Sequence, residues 1–327
     1  MIGNAIVLRP SYRKTIIRVR LWLLCRLCDG VRLFFYAIYR ILPPIMFRPT
    51  SAFLVKIVIS LILPRRRIVQ NLNRAFGETY ASATKEGLAK GVQLHFARNI
   101  QDCLIQWLFP GHILSLVKVK GIENLQRALA KGKGVIALGA HIGNFVMAGT
   151  RLGIDGYPFH ILFRIPADKG VQSFVEQYID SSFYLKLIPS HPRKMAVRRV
   201  LEILRRNEIV FILADNLKKG KVPTSFFGQP VRSPRGPVSL ALRSGAVVLP
   251  VNLIRNYQGG LDLIIDPEIP ISRNGNVAAD IVCNTRLLTV YLEDLVRRYP
   301  DQWNWLTVRM GKEEAHRFTP YHRTPRA

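Results

Sequence analysis

Acidic residues are scarce in this chain. Against 48 lysines and arginines stand 21 aspartates and glutamates in 327 residues, a formal net charge of +27 and a pI near 10.6. Such an excess calls for an anionic partner: nucleic acid, an acidic membrane surface or acidic substrates. Cysteine is scarce too, with Cys25, Cys28, Cys103 and Cys283 alone, and no disulfide framework is implied. Cys25 and Cys28 form a CxxC, but no second ligand pair stands at zinc spacing, so they read as two thiols of an apolar helix. Clean apolar runs of the ~18–20 residues that a spanning helix wants are also missing. The two apolar stretches, 31–47 and 52–63, are interrupted or bracketed by Arg32, Arg40, Pro43, Pro44, Pro49, Lys56 and Pro64. No small-residue cleavage site comes after them, which argues against a signal peptide. Internal repeats and low-complexity tracts are absent.

What is present is apolar and basic at once. Hydrophobic residues make up 49% of the chain and the mean hydropathy is +0.12. Between Arg18 and Arg40 the basic residues are threaded through apolar ones, a pattern that suits a lipid surface better than nucleic acid, whose binders concentrate charge in polar stretches with stacking aromatics. Residues 21–63 read as an anchor lying in or dipping into a membrane interface, with Arg and Lys reaching for phosphates. A single short span and a buried helical hairpin are the alternatives. The expected division is a basic membrane-association arm over 1–64, an α/β domain over 65–312 and a basic tail over 313–327.

From Arg65 the pattern turns helical, through Ile68, Leu72, Ala75 and Phe76, and again from Leu88 to Ile100 after a polar break. Beyond Val117 come short β-rich runs: 135–138, 159–163, 209–213, 247–251 and 261–265. Helical stretches over 171–187, 194–206, 237–244 and 277–298 lie among them. Strands alternating with helices predict one parallel or mixed sheet with helices covering it.

The run from Gly134 ends in small residues and then presents His141. The carboxyl end of a strand is where open α/β sheets place reactive groups, and imidazole is the usual general base near neutral pH. A carboxylate one helical turn further on would orient that histidine. Position 146 is valine instead.

Several landmarks stand in order along the chain: Arg65-Arg66-Arg67-Ile68-Val69-Gln70-Asn71-Leu72, Gly121-Ile122-Glu123-Asn124-Leu125 and His141-Ile142-Gly143-Asn144. After them come Phe163-Arg164-Ile165-Pro166, Ala214-Asp215-Asn216, Phe226-Phe227-Gly228-Gln229-Pro230 and Pro300-Asp301-Gln302-Trp303-Asn304-Trp305. Together, over roughly residues 60–312, they resemble the bacterial lipid A biosynthesis acyltransferases, the lauroyl/myristoyl branch of the lysophospholipid acyltransferase superfamily. The resemblance implies a glycerolipid acyltransferase-like fold. It also implies transfer of a fatty acyl chain from acyl carrier protein or coenzyme A to a hydroxyl of a membrane glycolipid or phospholipid, at the cytoplasmic face of the bacterial inner membrane. Neither a metal nor a resident cofactor is expected, and no nucleic acid partner. His141 takes the place of the general base, Gly143 and Asn144 in the turn after it are expected to contact substrate, and Arg164 matches an arginine that grips acceptor phosphate. Phe226, Phe227 and Gly228 match a block that shapes the acceptor site, and Arg235 belongs to a basic cluster around it, with Lys218, Lys219, Lys221 and Arg232.

The family's signature, however, sets an acid five positions after the histidine, where Val146 stands. Three readings are open. The acid comes from elsewhere, with Asp215 as candidate because strand ends converge on one edge of a sheet; the histidine works unassisted on an already activated thioester; or the chain is a catalytically impaired lipid-binding relative. The remaining histidines, His95, His112, His160, His191, His316 and His322, show no pairing in the sequence. Asp168 reads as a helix cap, and Trp303 and Trp305 as core or membrane-interface residues.

Overall fold

The computed structural model describes residues 30, 33–41, 44–109, 111–164, 184–217 and 220–306. A helical segment over 33–41 leads to α1 (Pro44–Ile62), α2 (Arg65–Phe76), α3 (Ser82–Leu108) and the single turn α4 (Ile113–Leu116). Strands and helices then alternate: β1 (Val117–Lys120), α5 (Ile122–Ala130), β2 (Val135–Gly139), α6 (Phe145–Ile154) and β3 (Phe159–Phe163). After them come β4 (Lys186–Pro189), α7 (Arg193–Arg205), β5 (Ile209–Leu213), the strands β6 (Val222–Phe226) and β7 (Gln229–Ser233), α8 (Gly236–Ser244), β8 (Val247–Arg255), β9 (Leu261–Ile265) and α9 (Val277–Arg298).

Seven of these strands form one sheet in the order β1-β9-β8-β2-β5-β3-β4, parallel throughout except for the antiparallel β8–β9 pair. The chain is therefore a mixed α/β structure with a largely parallel sheet flanked by helices. In β2, Val135, Ile136, Ala137 and Leu138 are all fully buried, as a central strand covered on both faces must be. Their side chains alternate between two cores. Ile136 and Leu138 join Val210 and Ile212 of β5 under α7, α8 and α9, whereas Val135 and Ala137 join Ile209 and Phe211 beneath α5 and α6.

Three local expectations need correction. Leu187 belongs to β4, which pairs in parallel with β3 and sets Leu187 opposite Ile161, rather than to a helix over 171–187; residues 165–183, including Asp168, lie outside the described residues. Pro49 does not bound the second apolar stretch, because α1 runs through it. The block around Phe226-Phe227-Gly228 is a β-hairpin, β6 paired antiparallel with β7, whose turn residues Phe227 and Gly228 hold φ of 52° and 69°.

The described part of the N-terminal region packs on the sheet domain. Phe35, Val55 and Ile59 are buried together with Ala97 and Ile105 of α3, and Gln101 donates to the Ser51 hydroxyl at 2.7 Å. The same segments leave Leu33, Phe34, Tyr36, Ile41, Met46, Phe53, Ile57 and Val58 exposed. No helix among the described residues is long and apolar enough to cross a membrane.

Candidate active site

The register of two parallel strands places the central pair. Gly139 of β2 stands opposite Leu213 of β5, and the Ala214 N–H donates to the Gly139 carbonyl at 2.9 Å. Two residues beyond each register partner are His141 and Asp215. His141 Nδ1 lies 2.7 Å from Asp215 Oδ1, and the His141 backbone N–H donates to Asp215 Oδ2 at 2.8 Å. The indole N–H of Trp303 donates to the same Oδ2 at 2.9 Å. Asp215 is 1% exposed, while the His141 side chain is 32% exposed. A buried carboxylate with three donors thus holds one imidazole nitrogen, leaving Nε2 as the nitrogen not engaged by Asp215.

Electrostatics derive from that contact. Burial alone would lower the His141 pKa, but the hydrogen bond to Asp215 and the aspartate's charge outweigh it and raise the value above 6.5. For Asp215, burial pushes upward. The His141 hydrogen bond and charge, the backbone N–H and the Trp303 indole overcome it and hold the carboxyl below its ordinary range. The stability consequence has a definite sign. A histidine whose folded pKa is raised contributes stability that is fully present below about 6.5 and is lost as pH rises through the higher folded value.

The turn after His141 is pinned from several sides. Gly143 has φ of +58°, and a Cβ there would lie 1.7 Å from the Leu253 carbonyl oxygen. The Gly143 N–H donates to the Gln302 carbonyl at 3.0 Å, and Asn99 of α3 donates to the Gly143 carbonyl at 2.7 Å. The Asn144 side chain caps α6 by accepting from the Met147 N–H at 3.4 Å. Its amide also donates to the Asn99 carbonyl at 3.2 Å and to Asp102 at 3.4 Å, and Asp102 is paired with Arg255. Gly143 and Asn144 build the turn that aims His141, and both also line an apolar cavity beside it.

Beside His141 opens an apolar cavity of about 320 Å³, walled by Phe96, Ile100, Leu104 and Trp107 of α3 and by Phe145 and Val146 of α6. Val146 is thus a wall of the cavity and packs on the core beneath α6. The position where the family signature sets a carboxylate serves an apolar surface.

The other expected site residues fall elsewhere. Arg164 comes directly after β3 at the same edge of the sheet and is exposed. Phe226 and Phe227 are 0% and 4% exposed, stacked with Phe76, Trp303 and Trp305. They are core, not lining, and they back the tryptophan that holds Asp215. Gly228 has open space around it and holds the positive φ that the hairpin turn requires. Arg235 sits at the start of α8 and lines a second cavity. His160, which shows no pairing in the sequence, lies 2.6 Å from Glu208. His316 and His322 lie outside the described residues, as do Lys218, Lys219, Cys25, Cys28 and the 313–327 tail. Among the described residues no group of three His, Cys, Asp or Glu side chains could hold a metal ion.

Trp303 is the partner of Asp215 that the sequence alone does not assign. Its signal is present there, since a buried indole N–H needs an acceptor and Asp215 is already a candidate for the same edge.

The family model for bacterial lipid A biosynthesis acyltransferases matches residues 22–312. The chain belongs to that family. A phosphatidylinositol mannoside acyltransferase of Mycobacterium tuberculosis is 28% identical over 194 residues, which are 58% of this chain and 58% of that protein. The chain therefore matches a little over half the length of that relative. The phosphatidylinositol mannoside acyltransferase of Mycolicibacterium smegmatis is 28% identical over 241 residues, 72% of this chain and 76% of the other. A lipid A biosynthesis palmitoleoyltransferase of Escherichia coli is 22% identical over 254 residues, 75% and 78%.

Proposed function

We propose that this lipid A acyltransferase family member transfers a fatty acyl chain from a thioester to a hydroxyl of a membrane glycolipid or phospholipid, with His141 as general base and Asp215 orienting it. The observation that carries the reading is the 2.7 Å contact between His141 and Asp215 at the mouth of an apolar cavity. Nε2 takes the proton of the acceptor hydroxyl as its oxygen attacks the thioester carbonyl. The tetrahedral intermediate collapses, the carbon–sulfur bond breaks, and the leaving thiolate receives that proton from Nε2. The cavity wall of Phe96, Ile100, Leu104 and Trp107 gives the acyl chain an apolar lining. The relatives that act on phosphatidylinositol mannoside and in lipid A biosynthesis support a phosphorylated glycolipid as acceptor. Arg164, exposed at the same sheet edge, supports a phosphate contact. The test is a radiolabelled acyl thioester incubated with the full chain and total bacterial membrane lipid. Label must appear in a lipid; a thioester left intact, or only hydrolysed, removes the reading and favours an impaired lipid-binding relative.

The site of action we propose is the cytoplasmic face of the bacterial inner membrane. A net charge of +27 and the exposed apolar residues between Leu33 and Val58 suit an anionic bilayer surface. Phe53 and Ile57, 63% and 47% exposed, are the cleanest probes. Phe53→Ser with Ile57→Ser is expected to leave the thermal midpoint unchanged and to remove most liposome binding. The wild-type chain should prefer phosphatidylglycerol to phosphatidylcholine, and less so at high salt. Binding indifferent to both changes, or tighter binding to double-stranded DNA at matched ionic strength, contradicts the membrane reading. Deleting everything before Arg65 is a poorer test than the sequence suggests, because it uncovers Ala97 and Ile105 of the helix that walls the cavity.

A further inference from the structure

We propose that the groove between α7 and α8 binds the nucleotide head of coenzyme A, making the acyl donor a coenzyme A ester. The inference rests on the acyl-transfer reading above and narrows its donor. The groove is a cavity of about 960 Å³ that shares no described lining residue with the one beside His141. Leu162, Val197, Leu240 and Ile281 are among its apolar walls. Its cations are Arg193, Lys194, Arg235 and Arg243, and none of its described lining residues is acidic.

Those cations come from two helices. Arg193 and Lys194 open α7, and Arg235 immediately precedes α8. No side chain caps either helix, so two positive helix ends add to the same field. Arg243 stands eight residues along from Arg235 on α8, about 12 Å away at the helical rise per residue. The complementary ligand carries two separated anionic groups joined by a body that tolerates apolar walls. Coenzyme A has that form, with a diphosphate and a 3′-phosphate on one adenosine. A carrier protein's phosphopantetheine offers a single phosphate and no base. A lipid headgroup would arrive from the bilayer, yet none of the exposed apolar residues between Leu33 and Val58 lines the groove.

The geometry also permits delivery. Leu162 and Ser190, which line the groove, lie at the ends of β3 and β4. β3 pairs with β5 and β5 with β2, so two strand spacings, about 10 Å, separate β3 from the strand that leads to His141. An extended pantetheine arm covers that distance.

All four cations are exposed, so their replacement should not disturb folding. Calorimetric titration of the full chain with coenzyme A and with adenosine 3′,5′-bisphosphate is the experiment. Arg243→Ala is expected to weaken both by about tenfold, and Arg193→Ala with Lys194→Ala by more, since each removes a charge-assisted phosphate contact. Leu240→Trp, which narrows the groove and leaves every charge in place, should weaken them as well. In transfer assays Arg243→Ala should raise the donor KM and leave kcat unchanged. Equal binding by wild type and variants, or no binding by wild type, overturns the proposal. Transfer from an acyl carrier protein thioester but not from a coenzyme A ester overturns it too, with acyl transfer intact; transfer from neither donor removes the underlying function.

Discussion

Asp215→Asn is expected to lower acyl transfer by about 10³–10⁴, with the fold intact. In serine hydrolase triads the same change leaves the geometry standing and drops the rate by about 10⁴, because the histidine is held in the wrong tautomer. Here the carboxylate accepts from the His141 backbone N–H and the Trp303 indole as well as meeting Nδ1, so the amide also misplaces a donor. The pH profile gives an independent readout. A base must be neutral to act, so transfer by the wild type should rise through a midpoint above 6.5. In Asp215→Asn the midpoint should fall, because burial remains while the hydrogen bond and charge that raise it are gone. Val146→Glu should bring no gain, since Nδ1 is already engaged by Asp215 and the new carboxylate would face apolar walls. A large gain from Val146→Glu together with indifference to Asp215→Asn would show that the pair at 2.7 Å is not the working one.

Gly143→Ala should also be damaging, although residue 143 performs no chemistry. The left-handed φ of +58° disfavours any side chain, and the Leu253 carbonyl occupies the place of a Cβ at 1.7 Å. That carbonyl is fixed, since it accepts from the Asn144 N–H at 3.1 Å, so the turn must move instead. Displacing a catalytic group by about 1 Å costs about 10²-fold in rate, and strain with a backbone clash is expected to remove about 3 kcal/mol or more of stability. Thermal melts and transfer rates of the purified variant check both. An alanine variant with wild-type melting and rate would mean that the turn is not what aims His141.

Much of this site was legible from strand chemistry. The run to Gly139 and the run to Leu213 end as strands, and one edge of a parallel sheet gathers the residues just beyond both ends, so His141 and Asp215 converge as their positions suggested. Strands 159–163, 209–213 and 261–265 and helix 277–298 were readable to the residue, because largely buried strands are short apolar runs and α9 opens on an asparagine cap. The hairpin was opaque for a physical reason. Phe226-Phe227-Gly228 looks like a ligand block in one dimension, whereas in three it is an aromatic stack against Trp303 and Trp305 around a positive-φ turn. The network of Asn99, Asp102, Arg255 and Gln302 behind the turn was equally hidden, since its members come from α3, β8 and the segment after α9. No local pattern ties them together. The groove of Arg193, Lys194, Arg235 and Arg243 joins the starts of two helices far apart in the chain.

The most direct test of the central claim is single-turnover transfer of a labelled acyl chain from a thioester to membrane lipid, with wild type compared to His141→Ala. His141 lies just past a strand's end and its side chain is 32% exposed, so its removal should leave the protein folded, with a lower melting transition because the buried Asp215 loses a partner. The account predicts a folded variant with transfer at the background rate. A folded His141→Ala protein that labels lipid at the wild-type rate would contradict it.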